Sequence, residues 1–156
     1  MQRSPRIVAV VAVTILLALV ACGGGSKRLT KAEFISAWDA ICKTDNQKTD
    51  AIGTDLPDTA TSENLPQFAD ALQQLVDVGS SEIAKLSAVK PPQEDQATID
   101  KILSQLNEVL GHLEEAQQAA SNRDVDSYNA ALAKANPPVD AANQAAADYG
   151  FKECGH

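Results

Sequence analysis

The chain has 156 residues and a formal net charge of −8, and the length alone favours one domain. It is 44% apolar but only 4% aromatic, and alternating Val, Ile, Thr and Tyr are missing beyond the first twenty residues, so a sheet core built on large rings is excluded in favour of closely packed helices. Setting aside residues 1–21, which carry Arg3 and Arg6 and no acid, takes the charge to −10; so acidic a body repels nucleic acid and anionic headgroups, and nucleic acid is not expected as a partner.

Residues 1–22 read MQRSPRIVAVVAVTILLALVAC. Arg3 and Arg6 form a basic start, and Ile7 to Val20 an apolar run of about fourteen residues, the length of a signal-peptide core. A spanning helix needs about 20 apolar residues, and here Gly23-Gly24-Gly25-Ser26 follows at once. Leu19-Val20-Ala21-Cys22 resembles the lipobox of bacterial lipoprotein precursors. That resemblance implies cleavage before Cys22, a diacylglyceryl thioether on its sulfur and often a further acyl chain such as palmitate on the new amino group. Two or more chains are what stable anchoring takes. The expected division is a cleaved signal peptide over 1–21, a lipidated flexible tether over 22–29 and a helical domain over 30–156, held at the extracytoplasmic face of the cell membrane. Stretched, the tether reaches roughly 25 Å at about 3.5 Å per residue.

Thr30-Lys31-Ala32-Glu33 has the form of a capping box. Phe34, Trp38, Ile41, Cys42 and Ile52 then mark one face of a first helix running to Ala51 or Ile52. Gly53 and the polar stretch after it end that helix. A second begins near Asn64 with Pro66 in its first turn, carries Leu65, Phe68, Leu72, Leu75, Val76, Ile83 and Leu86, and stops at Pro91-Pro92; Gly79-Ser80-Ser81 is expected to weaken or bend it. A third runs from about Gln93 to Ala120 on the stripe Ile99, Ile102, Leu103, Leu106, Val109, Leu110 and Leu113. After the short turn Ser121-Asn122-Arg123-Asp124, a fourth carries Val125, Tyr128, Leu132, Ala135, Val139, Ala142, Ala146 and Tyr149, with Gly150 at its C′ position. Asn136-Pro137-Pro138 interrupts its hydrogen bonding, and Asn136 is placed to cap a restarted helix. Because the stripe keeps its phase across the prolines, a kink is expected there rather than a change of direction.

These segments predict an all-α fold, an up-down-up-down four-helix bundle with a kinked last helix. Of the three cysteines, Cys42 and Cys154 remain once Cys22 carries lipid, and an oxidising compartment predicts a disulfide between them; the alternative is two buried free thiols. Geometry permits the bridge. Cys42 lies about 16 Å up the first helix, and the tail from Gly150 can climb roughly 13 Å towards it if extended.

The ending Asp148-Tyr149-Gly150-Phe151-Lys152-Glu153-Cys154-Gly155, together with Phe34…Asp39-Ala40-Ile41-Cys42, is similar to a group of small secreted or lipid-anchored helical proteins of high-GC Gram-positive bacteria. They share a first-helix Cys, an Ala-rich last helix and a Tyr-Gly-x-x-x-Cys close. The resemblance implies a fold and a location and carries no activity.

No phosphate-cradling loop, Ser-His-Asp set or Cys-His pair is present, and Cys42 has no partner His as a nucleophile. Glu108, His112 and Glu115 share a helix face, but it points away from the apolar stripe, and inward Glu and Glu-x-x-His on several helices are missing. No metal or cofactor is expected there or at the terminal His156. Trp38 and Tyr149 read as core; with Pro137 and Pro138 they are also the residues that would line a ligand gap at a bent helix. The expected activity is that of an anchored, non-catalytic binding or interaction module, with an envelope protein as partner, and the alternative is a carrier for a small amphipathic ligand held within the bundle. An enzyme is the third and weakest reading.

Overall fold

The computed structural model describes residues 28–155. The signal peptide read at 1–21, Cys22, the tether as far as Lys27, and His156 lie outside them. Among the described residues the fold is all-helical, with α1 (Lys31–Thr49), α2 (Leu65–Ala88), α3 (Gln96–Ser121) and α4 (Val125–Tyr149), and with a single 3₁₀ turn, Gln93–Asp95, ahead of α3. None of these helices is long and apolar enough to cross a membrane.

The boundaries follow local chemistry. Thr30 accepts from the Glu33 amide and Glu33 reaches back to the Thr30 amide at 2.8 Å, so both halves of the capping box form. The end of α1 comes earlier than the stripe suggested: Ala51 and Ile52 donate to the carbonyls three residues back, so the chain tightens into turns after Thr49. Asn64 precedes α2, but its side chain serves the loop before it, accepting from the Thr61 amide and donating to the Thr59 carbonyl. Gly79-Ser80-Ser81 lies inside continuous helix. Asp124 caps α4 by accepting from the Ser127 amide at 3.0 Å.

Pro137 and Pro138 both sit inside α4, which is one helix from Val125 to Tyr149, and Asn136 does not begin a second. Pro138 falls on the buried stripe with Ala131, Ala135, Ala142, Ala146 and Tyr149, while Pro137 is exposed. Burial on both sides of the pair, at one helical phase, opposes the break that two missing amide donors would otherwise favour.

α2 packs against α1 and α3, and α3 against α4. The core divides in two. One cluster joins Phe34, Trp38 and Cys42 with Leu86, Ile99, Ile102, Ala146, Tyr149 and Phe151. The other joins Leu65, Ala69 and Leu72 with Ala116, Ala119, Ala120, Tyr128 and Ala131. Alanine dominates where α3 meets α4, which lets two backbones approach closely without large side chains between them.

The carboxyl tail extends the contact of α4 with α1, which begins where Phe34 meets Tyr149 edge-on at 6.0 Å between centroids. Gly150, at φ 109°, ends α4 with its amide on Ala147 O and the Phe151 amide on Ala146 O, a Schellman motif that only a residue without Cβ enters cheaply. Phe151 turns inward and stacks on Trp38 at 5.0 Å between centroids. Asp39 then accepts from the amides of Lys152 and Glu153, each at 3.0 Å, and Asn46 donates to the Glu153 carbonyl at 2.9 Å. Cys154 closes a disulfide with Cys42, their Cα atoms 5.2 Å apart. At the other end of α1, Arg28 donates to the Pro91 carbonyl at 2.9 Å and to Gln96 at 3.0 Å, and Leu29 packs against the first cluster. These two residues, read as tether from the sequence, are therefore part of the folded body.

The disulfide spans 112 residues, and a loop of that size is worth about 4–5 kcal/mol on the chain-entropy estimate. Replacing both cysteines, Cys42→Ala with Cys154→Ala, is expected to lower unfolding free energy by about 3–5 kcal/mol. Urea unfolding followed by circular dichroism measures it, and a loss under about 1 kcal/mol would show that the tail's hydrogen bonds and Phe151 hold α1 unaided.

Candidate functional site

α1 is the shortest of the four helices, and its last residue, Thr49, reaches the rim of a groove between α2 and α3. Two cavities lie along this region. The first, of about 140 Å³, is walled by Trp38, the Cys42–Cys154 disulfide, Asn46, Glu82, Leu86, Ile102, Leu106 and Asn143, with the small residues Ala142, Ala146 and Gly155 closing it on the α4 side. A volume of that order accommodates a benzene-sized molecule. The second, of about 170 Å³, is a groove between α2 and α3 lined by Leu75, Gly79, Ile83, Val109, Leu110 and Leu113, with Thr49 at its rim. Glu82 and Leu106 line both.

Gly155 makes the first cavity's wall possible. At φ 107° it lies so close to α4 that a Cβ would stand 3.1 Å from the Asn143 carbonyl oxygen. Gly79 shapes the second. It sits in mid-helix with ordinary helical backbone, where glycine costs about 0.5–1 kcal/mol relative to alanine. A Cβ there would stand 3.3 Å from Leu110 Cδ1. The missing side chain is space in the groove.

Two acids sit on what are otherwise apolar faces. Asp45 is 1% exposed and follows Phe34, Trp38 and Cys42 along the inner face of α1. Lys85 binds both of its oxygens, at 3.0 and 2.8 Å, and Lys48 binds one. Burial pushes the Asp45 carboxyl up, but the two lysines more than offset this and hold it below its ordinary value. Glu82, one turn before Leu86, is half-buried at the shared wall and accepts no hydrogen bond from the described residues. Burial, and then the negative charge of Asp45, raise its pKa; Lys85 and Lys48 pull it back only in part. Both lysines are already engaged by Asp45. Two further buried polar atoms have no hydrogen-bond partner: the indole Nε1 of Trp38 and the Gln105 Oε1.

Of the residues expected to line a ligand gap, Trp38 borders the first cavity. Tyr149 borders a separate surface cleft with Lys31, Asp95 and Lys101. Its hydroxyl donates to Asp95 at 2.7 Å and Lys31 lies 4.2 Å above its ring. Pro137 and Pro138 line neither space. Cavity and prolines are thus apart: the first cavity lies at the disulfide, where the tail crosses from α4 to α1. Glu108 and Glu115 are exposed and His112 is half-buried, with Nδ1 3.3 Å from Glu115. Lys134 approaches the same carboxylate at 3.4 Å. Among the described residues no group of three or more His, Cys, Asp or Glu is placed to hold a metal ion.

Sequence reasoning missed Asp45 and Glu82, and it read Gly79 as a bend where the structure makes it the floor of a groove. The signal was present: Phe34, Trp38, Cys42 and Asp45 recur at four, four and three, and Leu75, Gly79, Glu82 and Leu86 at four, three and four. An acid in phase with an apolar stripe is a buried or cavity-lining acid until shown otherwise.

The two acids give opposite pH signatures. The Asp45 carboxyl lies below its ordinary 3.8, so its stabilisation is present above that value and lost as pH falls through the folded one. Glu82 lies above its ordinary 4.5, so the fold is unpenalised below that value and loses stability as pH rises through the folded one. Asp45→Asn is expected to cost about 1–3 kcal/mol at neutral pH. Glu82→Gln is expected to raise the melting temperature at pH 7, with the gain vanishing below about pH 4. Melting curves of both variants between pH 3 and 8 measure this; a Glu82→Gln gain equally large at pH 3 would rule out ionisation as its cause.

Comparison of the chain with protein-family models, curated proteins and solved structures found no match.

Proposed function

We propose that the chain is a lipid-anchored protein of the extracytoplasmic face of the cell membrane, whose up-down-up-down helical bundle is a non-catalytic binding module. The observation that carries the anchor is the Cys42–Cys154 disulfide. It supports an oxidising compartment, and it accounts for every cysteine except the one at the lipobox-like Leu19-Val20-Ala21-Cys22. The topology is supported by the core clusters, in which the start of α2 meets the end of α3 and the start of α4, while the end of α2 meets the start of α3 and the end of α4.

Binding rather than catalysis is supported by the walls of the two cavities. They carry one ionisable side chain that titrates, Glu82, and the two cysteines there are bonded to each other. Glu82 has no nucleophile or second titrating group beside it on those walls, which supports recognition over catalysis. The cavities also favour the narrower reading, a carrier for a small amphipathic ligand, since a mixed polar space adjoins an apolar groove.

Growth of the producing cells with a labelled palmitate analogue tests the anchor. The full chain is expected to take up label and sediment with membranes, and Cys22→Ala to lose the label. Label retained by Cys22→Ala, or none on the unaltered chain, would remove the anchor from the reading.

A further inference from the structure

Cys154 is held on both sides without the help of its sulfur. Ahead of it, Phe151 stacks on Trp38, Asp39 accepts from the Lys152 and Glu153 amides, and Asn46 donates to the Glu153 carbonyl. Behind it, Gly155 lies against α4, so near that a Cβ would stand 3.1 Å from the Asn143 carbonyl oxygen. The backbone that carries Cys154 is therefore placed by contacts to α1 on one side and to α4 on the other, and the bridge joins two sulfurs already brought together. A disulfide stabilises mainly by constraining the unfolded chain, so opening it leaves those contacts standing. Cys42, packed with Phe34, Trp38 and Leu86, is as a free thiol a small apolar side chain that suits its surroundings. The two sulfurs differ in access. Cys42 is 3% exposed, whereas Cys154 is half-buried on the irregular tail. Both border the cavity of about 140 Å³, which opens to the surface and leaves room for a third sulfur beside the bridge.

From this arrangement we propose that the Cys42–Cys154 bridge is a reversible latch on α1, opened through Cys154 by a protein dithiol and closed again without unfolding. A thiolate of the dithiol attacks Cys154 Sγ; the bond to Cys42 breaks, and Cys42 leaves as a thiolate that takes up a proton. The second thiol of the dithiol, deprotonated, attacks the mixed disulfide at the reductant's own sulfur, and Cys154 is released and protonated in turn. The chain gains two electrons and two protons, and the dithiol leaves as its own disulfide. In the oxidised state α1 cannot part from the tail. In the reduced state only non-covalent contacts restrain it, and α1, the shortest helix, becomes the one that opens most readily. The latch belongs to the folded domain and is independent of the lipid anchor and of any ligand in the cavities.

The full chain, in non-ionic detergent micelles and without urea, is exposed to dithiothreitol, and peptide mass mapping after alkylation reads Cys42 and Cys154 apart from Cys22. Both thiols are expected to appear while circular dichroism keeps its full helical signal, and the same bridge is expected to return once oxidised glutathione replaces the reductant. Hydrogen exchange of the α1 amides is expected to quicken about tenfold in the reduced state, with α3 unchanged. These measurements need no variant. Alkylation by iodoacetamide is expected to be about tenfold faster at Cys154 in Cys42→Ser than at Cys42 in Cys154→Ser. Asp39→Ala, which takes the acceptor from two tail amides and keeps both cysteines, is expected to slow reclosure. A bridge that resists dithiothreitol until urea unfolds the chain overturns the proposal, as does loss of helical signal on reduction or α1 exchange that is equal in the two states. Cys42 alkylated as fast as Cys154 overturns the entry through Cys154.

Discussion

The structure depends on how α1 is kept. α2, α3 and α4 bury long faces against one another in sequence, whereas α1 packs chiefly on α2. Phe34, Trp38 and Cys42 also reach Ile99 and Ile102 of α3 and Ala146 and Tyr149 of α4, and the tail, which must leave α4 abruptly and run back along a different helix, completes the enclosure. Each step is chemically specific. Gly150 permits the left-handed turn, Phe151 supplies the apolar contact, Asp39 and Asn46 satisfy the tail's backbone, and the disulfide makes the attachment covalent. Without Asp39, two amides would lose their acceptor at a place where no helix or strand offers another.

The same strap explains why there is a cavity beneath it. A fifth helix would fill the space between α1 and α4 with side chains at regular spacing. An irregular segment ending in Gly155 fills it with backbone and leaves a gap bounded by the sulfur bridge. Buried polar groups collect around that gap and are treated unequally. Asp45 is fully neutralised by two lysines whose own ends reach solvent, a cheap arrangement because only one of the three charged groups is desolvated. Glu82 and the Trp38 indole are left without direct partners. Polar groups in that condition lower stability.

Much of the architecture was legible because it rests on local rules. Helical periodicity, the capping box at Thr30, the glycine stop at Gly150 and the double-proline stop at Pro91-Pro92 each act over a few residues. The cysteine pairing was legible for a different reason: the thiol count left one sensible pair, and helix rise allowed it. What was not legible depended on competition between rules. Pro137-Pro138 argues locally for a break, yet the phase of the surrounding alanines places both prolines within a single helix. The cavity was sought at those prolines, where a helix defect was expected, but it forms where the tail crosses. No pattern along the chain encodes that crossing. Glu82 and Asp45 carry no motif that marks them, although their spacing places them on inner faces.

Arg28 carries a consequence for posture. By fastening to Pro91 and Gln96 it welds the start of the domain to the α2–α3 corner, the same pole at which Tyr149 meets Asp95. A leash beginning at Cys22 would then have only residues 22–27 to spend, about 20 Å at full stretch. So short a leash would keep that pole nearer the bilayer than the opposite one, which carries the long 50–64 loop and the Arg123 turn.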